Sequence, residues 1–348
     1  MSISAPLPVP RYTDDARRPT ISIIVAAYNI ADYIVGCLDA LLIPEADECE
    51  IIVVDDGSTD ATARLLSGYA DPRLRVLRQA NAGLGAARNT GITAANGAYL
   101  LFVDGDDWTD PALVPACLDA IQAAPDVEMF VFDYFDVTET GQTRRRCSPD
   151  FWGAHNAAWN KLYRRDLIGD TRFDCGLWYE DLARVRAWLA CCQHIEHIDA
   201  ALYYYRNARQ GSIMNALEDE RLMHLPIAAE RCIQRIEASD VPPDTLHARL
   251  GPDWQRRFYT VEVFVRGIIQ RPRHMPDMPT RRRFIARMKP TLPPGVPDIA
   301  VVRRQFGAKI ALASLLYKRG ADRAAEVLLY DLRRARDRMT HLLGVRRR

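Results

Sequence analysis

Three carboxylates stand within four residues at Asp104-Gly105-Asp106-Asp107, directly after the apolar run AYLLFV. A buried strand ending in that much negative charge is unfavourable unless a cation or hydrogen-bond donors offset it. Oxygen-only ligands suit Mg2+ or Mn2+, which commonly bridge a few carboxylates to substrate phosphates. An acidic turn leading into a helix cap is the plainer explanation. It accounts for Asp110, which precedes Pro111, but poorly for the other three. Asp55-Asp56-Gly57-Ser58 is good turn and capping sequence, yet Asp56 could also accept hydrogen bonds from a nucleobase N–H or a ribose hydroxyl. Gly83-Leu84-Gly85 opens like a dinucleotide fingerprint, but Arg88 stands where the final glycine belongs. Arg88 reads better as a charge-assisted donor to phosphate or carboxylate.

Five apolar runs must position these residues: ISIIVAAY (21–28), EIIVVDD (50–56), LRVLRQ (74–79), AYLLFVDGDD (98–107) and VEMFVFDYFDV (127–137). Their length and β-branched content mark them as strands. Helical sequence lies between them, to about residue 43, from about residue 61 and over 83–95. Alternating strands and helices imply an α/β fold with right-handed crossovers and a mostly parallel, Rossmann-like sheet. Such sheets bind ligands beyond the carboxyl ends of their strands. That rim would carry Tyr28-Asn29, Asp55-Asp56 and the acids at 104–107. Beyond about residue 216 the strand pattern ends, and helix-forming sequence is interrupted by Pro-rich joints. The expected organisation is a flexible tail over 1–18, a catalytic domain over 19–215 and a helical domain over 216–348.

The 348 residues are 48% hydrophobic and 26% charged, enough apolar material for a real core, which excludes a disordered or fibrous chain. No apolar run approaches the ~20 residues that span a bilayer, and the N-terminal stretch lacks the apolar core of a secretory signal. Eight cysteines without a C-x-x-C pair suggest reduced thiols and a cytoplasmic protein. The net charge of +1 conceals an asymmetry: residues 1–150 hold 11 Lys and Arg against 23 Asp and Glu, the remainder 35 against 22. A cation site in the first half and an anion-facing surface in the second are expected, with no nucleic-acid partner.

Taken together, the motifs resemble family 2 glycosyltransferases, the inverting group of GT-A fold that uses nucleotide-diphospho-sugars. V-A-A-Y-N (25–29) is similar to that family's first strand and turn, and D-D-G-S-T-D (55–60) to its second-strand motif. N-x-G-x-x-x-A-R-N-x-G begins at Asn81, and F-V-D-G-D-D-W (102–108) contains the D-x-D. Order and spacing as a set are far more specific than any one motif. The resemblance, over roughly residues 20–215, implies a UDP-sugar donor. Ala26 and Tyr28 would line the base pocket, and Asp56 would contact uracil or ribose. Asn81 and Arg88 would lie near the nucleotide, and Asp104 on ribose or sugar hydroxyls. Asp106 would hold Mn2+ or Mg2+ on the diphosphate, neutralising the leaving group.

An inverting transfer also needs a base on the face opposite the leaving group. W-N-K-L-Y-R-R-D-L (159–167) and L-W-Y-E-D (177–181) resemble the family's acceptor-side segment. By that resemblance Asp181 is the base and Glu180 its neighbour; the alternative is two acids decorating a helix N-terminus. Trp159 and Trp178 could stack on an acceptor or be core aromatics, and Lys161 could reach a phosphate or be solvated. Y-R-N-A-R-Q-G-S-I (205–213) resembles the family's closing loop, but Gln210 replaces the His that some relatives place before Gly-Ser, so a second protein ligand for the metal is not implied.

The implied reaction is sugar transfer to a glycan or lipid-linked acceptor in bacterial surface-polysaccharide assembly. A sugar-phosphate nucleotidyltransferase would want a Gly-rich phosphate loop near the first strand, which V-A-A-Y-N lacks. A non-catalytic relative would be expected to lose an acid at 104, 106 or 181, and none is lost. Leu328, Leu332, Ala335, Met339 and Leu342 form one helical stripe, and residues 301–348 carry 13 Lys and Arg against 4 Asp and Glu. Packing on the protein itself, a homodimer seam and a peripheral foot on the inner face of an anionic membrane all suit that pattern.

Overall fold

A computed structural model of the chain describes residues 18–207, 219–270, 275, 278–326 and 328–329. The chain divides into two compact units, Met1–Ser212 and Ile213–Arg348.

The first unit is built on β1 (Ile21–Ala27), β2 (Cys49–Asp55), β3 (Leu74–Arg78) and β4 (Tyr99–Asp104). All seven residues of β1 and of β2 are buried, as expected of parallel strands covered on both faces. Between them run α1 (Ile34–Leu41), α2 (Thr62–Leu66) and α3 (Leu84–Ala94). Helix α1 buries Ile34, Cys37, Leu38 and Leu41, a single apolar stripe. Helix α3 comes close to the sheet at Gly91, where a Cβ would lie 2.2 Å from Ile24 Cγ2.

These four strands are parallel in the order β3-β2-β1-β4. The order reverses at β1, so a crevice opens at the carboxyl ends of β1 and β4. Beyond β4 the sheet becomes mixed. After β5 (Trp108–Thr109) and α4 (Leu113–Ala123) come β6 (Met129–Thr138), β7 (Gly141–Arg145), β8 (Lys161–Arg164), α5 (Arg165–Ile168), α6 (Glu180–Cys191) and β9 (Ile195–Arg206). The full order is β3-β2-β1-β4-β8-β6-β9-β5, with β7 on the outer half of β6. The fifth apolar run therefore does not pair with the fourth: β8 lies antiparallel between them. Five strands are legible from hydrophobic runs; nine are present among the described residues. The missing four are short (β5, β8), fully exposed (β7) or polar in alternation (β9).

In the second unit α7 (Asp219–Leu222), α8 (His224–Glu237), α9 (Pro243–Leu250) and α10 (Trp254–Phe258) lead into a π-helical stretch, Tyr259–Gln270. Next come α11 (Met278–Met288), α12 (Ile299–Lys318) and α13 (Asp322–Glu326). Helix α8 buries Leu225, Ala228, Ala229, Cys232, Ile233 and Ile236 on one stripe. Helix α12 kinks at Gly307, which takes φ 83°. No described helix is long and apolar enough to cross a membrane. The stripe from Leu332 to Leu342, the arginines after it, and Gln210 lie outside the described residues.

Candidate active site

The acids at the end of β4 are set by a turn that requires glycine. A Cβ on Gly105 would lie 2.6 Å from Ile30 Cδ1 and 2.9 Å from the Ala26 carbonyl oxygen, the oxygen that accepts the Gly105 N–H. Tyr203 of β9 fastens the same turn. Its hydroxyl accepts the Asp104 N–H at 3.0 Å and donates to Asp107 Oδ2 at 2.8 Å. Asp107 Oδ1 takes the Arg206 N–H at 2.7 Å. The Arg206 guanidinium donates through Nε to the Asp106 carbonyl at 2.9 Å and lies between the Tyr33 and Trp108 rings, 4.8 and 4.5 Å from their centroids. Asp107 is thus a buried structural acid, whereas the Asp106 side chain remains partly exposed.

On the first two strand ends, Asn29 takes a left-handed φ of 49°. Its Oδ1 accepts the Thr59 N–H at 2.8 Å, and its own N–H donates to Ser58 Oγ at 3.0 Å. The two loops are thereby locked together, with the Tyr28 ring 46% exposed above them. Ala26 is buried. Asp56 is almost fully buried and holds the loop after β3: it accepts from Gln79 Nε2 (2.7 Å), the Ala82 N–H (2.9 Å) and the Gly83 N–H (2.8 Å). Asn81 lies exposed within that loop.

Arg88 joins the donor rim to the acids of α6. Its side chain, 1% exposed, donates from Nη2 to Asp104 Oδ1 (2.8 Å) and from Nη1 to Glu180 Oε1 (2.9 Å) and Asp181 Oδ1 (2.5 Å). Arg88, expected near the nucleotide, is buried against three carboxylates, one of them Asp104 on the donor rim. Burial works against its charge, but Asp181, Asp104 and Glu180 outweigh it and raise the guanidinium's pKa. One cation cannot neutralise three acids. Burial, with Asp106 and Asp181 nearby, pushes Asp104 up to about 6 despite Arg88. Burial and then the charge of Asp181 push Glu180 up to about 8. Asp107 is raised well above the carboxylate range by burial and by Asp106 and Asp104.

Glu180 and Asp181 open α6, where helix N-termini favour acids. The preceding residue, Tyr179, has φ 66°, a strained conformation for a side chain of that size and one that persists only where its surroundings impose it. Asp181 Oδ2 accepts the Ala158 N–H at 3.2 Å. Trp178 is partly exposed next to these acids in sequence.

Burial decides two acceptor-side alternatives: it overturns both readings of Lys161 and selects the core reading of Trp159. Lys161 is neither solvated nor free to reach a phosphate. It is fully buried, burial pulls its pKa down to about 7, and its ammonium donates to three oxygens of the segment before it. Trp159, 3% exposed, stacks on Tyr203 at 4.4 Å and Tyr205 at 5.4 Å, so it is a core aromatic. Tyr203 and Arg206 were not legible as site residues. The only sequence signal was their position in the Tyr-rich end of β9, and nothing local showed that β9 returns to the D-x-D.

The donor set fits a hard divalent ion. Burial, and after it the charge of neighbouring acids including Asp106, raises the carboxyls of Asp104 and Asp107, so a cation beside Asp106 would relieve the repulsive part. Among the described residues no three His, Cys, Asp or Glu side chains form a cage for a metal. An ion there would take one or two carboxylates and complete its shell from phosphate and water, the usual habit of Mg2+ and comparable with Mn2+.

Parallel strands reversing at β1, a D-x-D at the end of β4 and a mixed sheet edge define a GT-A-type fold. The S. aureus protein TarS, residues 1–349, whose structure was determined with UDP-GlcNAc, shares this fold. It has a TM-score of 0.63 at 18% identity, with 94% of this chain and 93% of that one covered. Residues 22–177 match the family described as Glycosyl transferase family 2. Glycosyltransferase GlyG of Streptococcus pneumoniae is 31% identical over 221 residues, which is 56% of this chain and 72% of that protein. The succinoglycan biosynthesis protein ExoO of Rhizobium meliloti is 29% identical over 270 residues, 70% and 77% of the two chains. The chain belongs to glycosyltransferase family 2. It spans 48%, 33% and 61% of the length of three other curated relatives.

Proposed function

We propose that this protein is an inverting glycosyltransferase that moves a sugar from a UDP-sugar to a hydroxyl of a glycan or lipid-linked acceptor. The observation that carries the reading is the Arg88 hub. One guanidinium connects Asp104, at the donor rim, with Asp181, the candidate base on α6. An acid for the donor side and an acid for the acceptor side thus converge on one guanidinium, which keeps the two halves of a displacement at a sugar carbon close together.

In this reading the exposed Tyr28 ring stacks on the base, and Asp56 shapes the 79–83 loop beside it. Asp104 meets ribose or sugar hydroxyls. Asp106 holds Mn2+ or Mg2+, which when bound neutralises the leaving diphosphate. Asp181 removes the proton of the attacking hydroxyl. Glu180, which burial keeps protonated near neutral pH, is the less suitable of the two acids for that role. A nucleotide-sugar donor suits a cytoplasmic location, and relatives such as the succinoglycan biosynthesis protein ExoO support a role in surface-polysaccharide assembly.

Release of nucleoside diphosphate from a set of UDP- and GDP-sugars, with Mn2+, with Mg2+ and in excess EDTA, tests the proposal. A UDP-sugar should be turned over only with metal, and Asp106→Ala should abolish turnover. Full activity in EDTA would remove the metal assignment. Turnover of none of the sugars with any acceptor class would remove the enzyme reading.

A further inference from the structure

Lys161 is a buried cation that the mechanism above does not use. Among the described residues no carboxylate lies within ion-pair distance of it; burial lowers its pKa to about 7, and the charge of Asp181 offsets that only in part. All three of its N–H donors are spent on one short segment: the carbonyls of His155 and Ala157, both at 2.7 Å, and Asn160 Oδ1 at 2.6 Å. Residues 155–160 therefore wrap around a single ammonium. A second clamp comes two residues later, where the Tyr163 hydroxyl donates to the Ala158 carbonyl at 3.1 Å. Lys161 and Tyr163 both belong to β8, which is pinned between β4 and β6. The clamped turn presents one donor to the site, the Ala158 N–H on Asp181 Oδ2. Asp181 Oδ1 already meets Arg88, so these two donors fix the plane of its carboxylate.

We propose that Lys161 is a positioning residue: by wrapping residues 155–160 around its ammonium it aims the Ala158 N–H at Asp181 and so orients the base toward the acceptor hydroxyl. The proposal rests on the reading of Asp181 as that base. A cation here does what an apolar side chain of equal length cannot, because only three convergent donors can draw two carbonyls and a side-chain amide to one point. At 3.2 Å the Ala158 bond is near the long end of the normal range. A small shift of the turn would break it.

The test compares Lys161→Met, Asp181→Asn and the double variant, using whichever UDP-sugar the wild type turns over. UDP affinity with Mn2+ is measured by calorimetry in each. Lys161→Met should lower kcat about 10- to 100-fold, the scale of a misplaced catalytic group, and leave the donor KM and UDP affinity within about twofold. In the Asp181→Asn background it should cost nothing further, because a residue acting through the base has nothing left to act on. If Lys161→Met does not fold, Tyr163→Phe serves instead, with a smaller loss of kcat that likewise vanishes without Asp181. Wild-type kcat in the variant that folds, or an equal loss with and without Asp181, overturns the proposal. Full turnover by Asp181→Asn would overturn the base reading itself; an inactive Asp181→Asn beside an unaffected Lys161→Met overturns only the positioning role.

Discussion

Glu180 and Asp181 are neighbours in sequence, and the fold gives them different environments. Glu180 is 8% exposed, shares Nη1 of Arg88 with Asp181, and is pushed from an ordinary 4.5 up to about 8, first by burial and then by the charge of Asp181. A carboxyl whose pKa is higher folded than unfolded binds more protons in the native state between those two values. Its contribution is complete below 4.5 and is lost as pH rises through about 8. Metal-free protein should therefore lose thermal stability from pH 5 to pH 8. Glu180→Gln keeps the acceptor for Arg88 but cannot ionise, so its melting temperature should fall less over the same interval. Identical slopes for the two proteins would show that Glu180 is not protonated in the native state.

At the scale of elements, the site depends on the end of β9 returning to the turn after β4. Strand β9 reaches β4 through a hydroxyl, since Tyr203 holds both the Asp104 N–H and the Asp107 carboxyl. Tyr203→Phe preserves the ring that stacks on Trp159 and removes only that link. Leaving Asp107 buried with one fewer donor should cost about 1–3 kcal/mol in denaturant unfolding. UDP binding in the presence of Mn2+ should also weaken, because the D-x-D turn loses one of its ties to β9, the Arg206 contacts remaining. Loss of stability with unchanged nucleotide affinity would mean that Gly105 and the Ala26 carbonyl suffice to shape the turn.

At the scale of the whole molecule, the uneven charge has a consequence that the fold leaves intact. The acidic rim belongs to the first unit, while Arg and Lys accumulate toward the C-terminus. Residues 323–348, mostly outside those described, are expected from sequence to bind anionic surfaces weakly through their basic, amphipathic pattern, at about 1 kcal/mol per basic residue near the membrane. Full-length protein should pellet with vesicles containing anionic lipid at low salt and be released at high salt. A chain ending at residue 322 should stay in the supernatant under both conditions. Equal pelleting of the two would assign the stripe to packing or dimerisation.

The strands, the rim and the acids were legible because they are local. β1, β2 and β4 are continuous apolar runs because both their faces are covered, and the residues after them must sit at the rim in any parallel arrangement. Asp104, Asp106 and Asp56 could be read from that rule alone; Asp181 needed the family resemblance as well. The partners of those acids were not legible, because partnership depends on distance in space. Arg88 and Asp181 are 93 residues apart, and Asp104 and Tyr203 are 99 apart. Periodicity carries no information about such pairs. Lys161 shows the limit most clearly: charge in sequence suggests a solvated side chain, but a turn of six residues closes around it and supplies oxygens in place of water. Sequence determined which groups could do the chemistry. Tertiary structure decided which face each other, because burial and hydrogen bonding are settled only once distant strands come together.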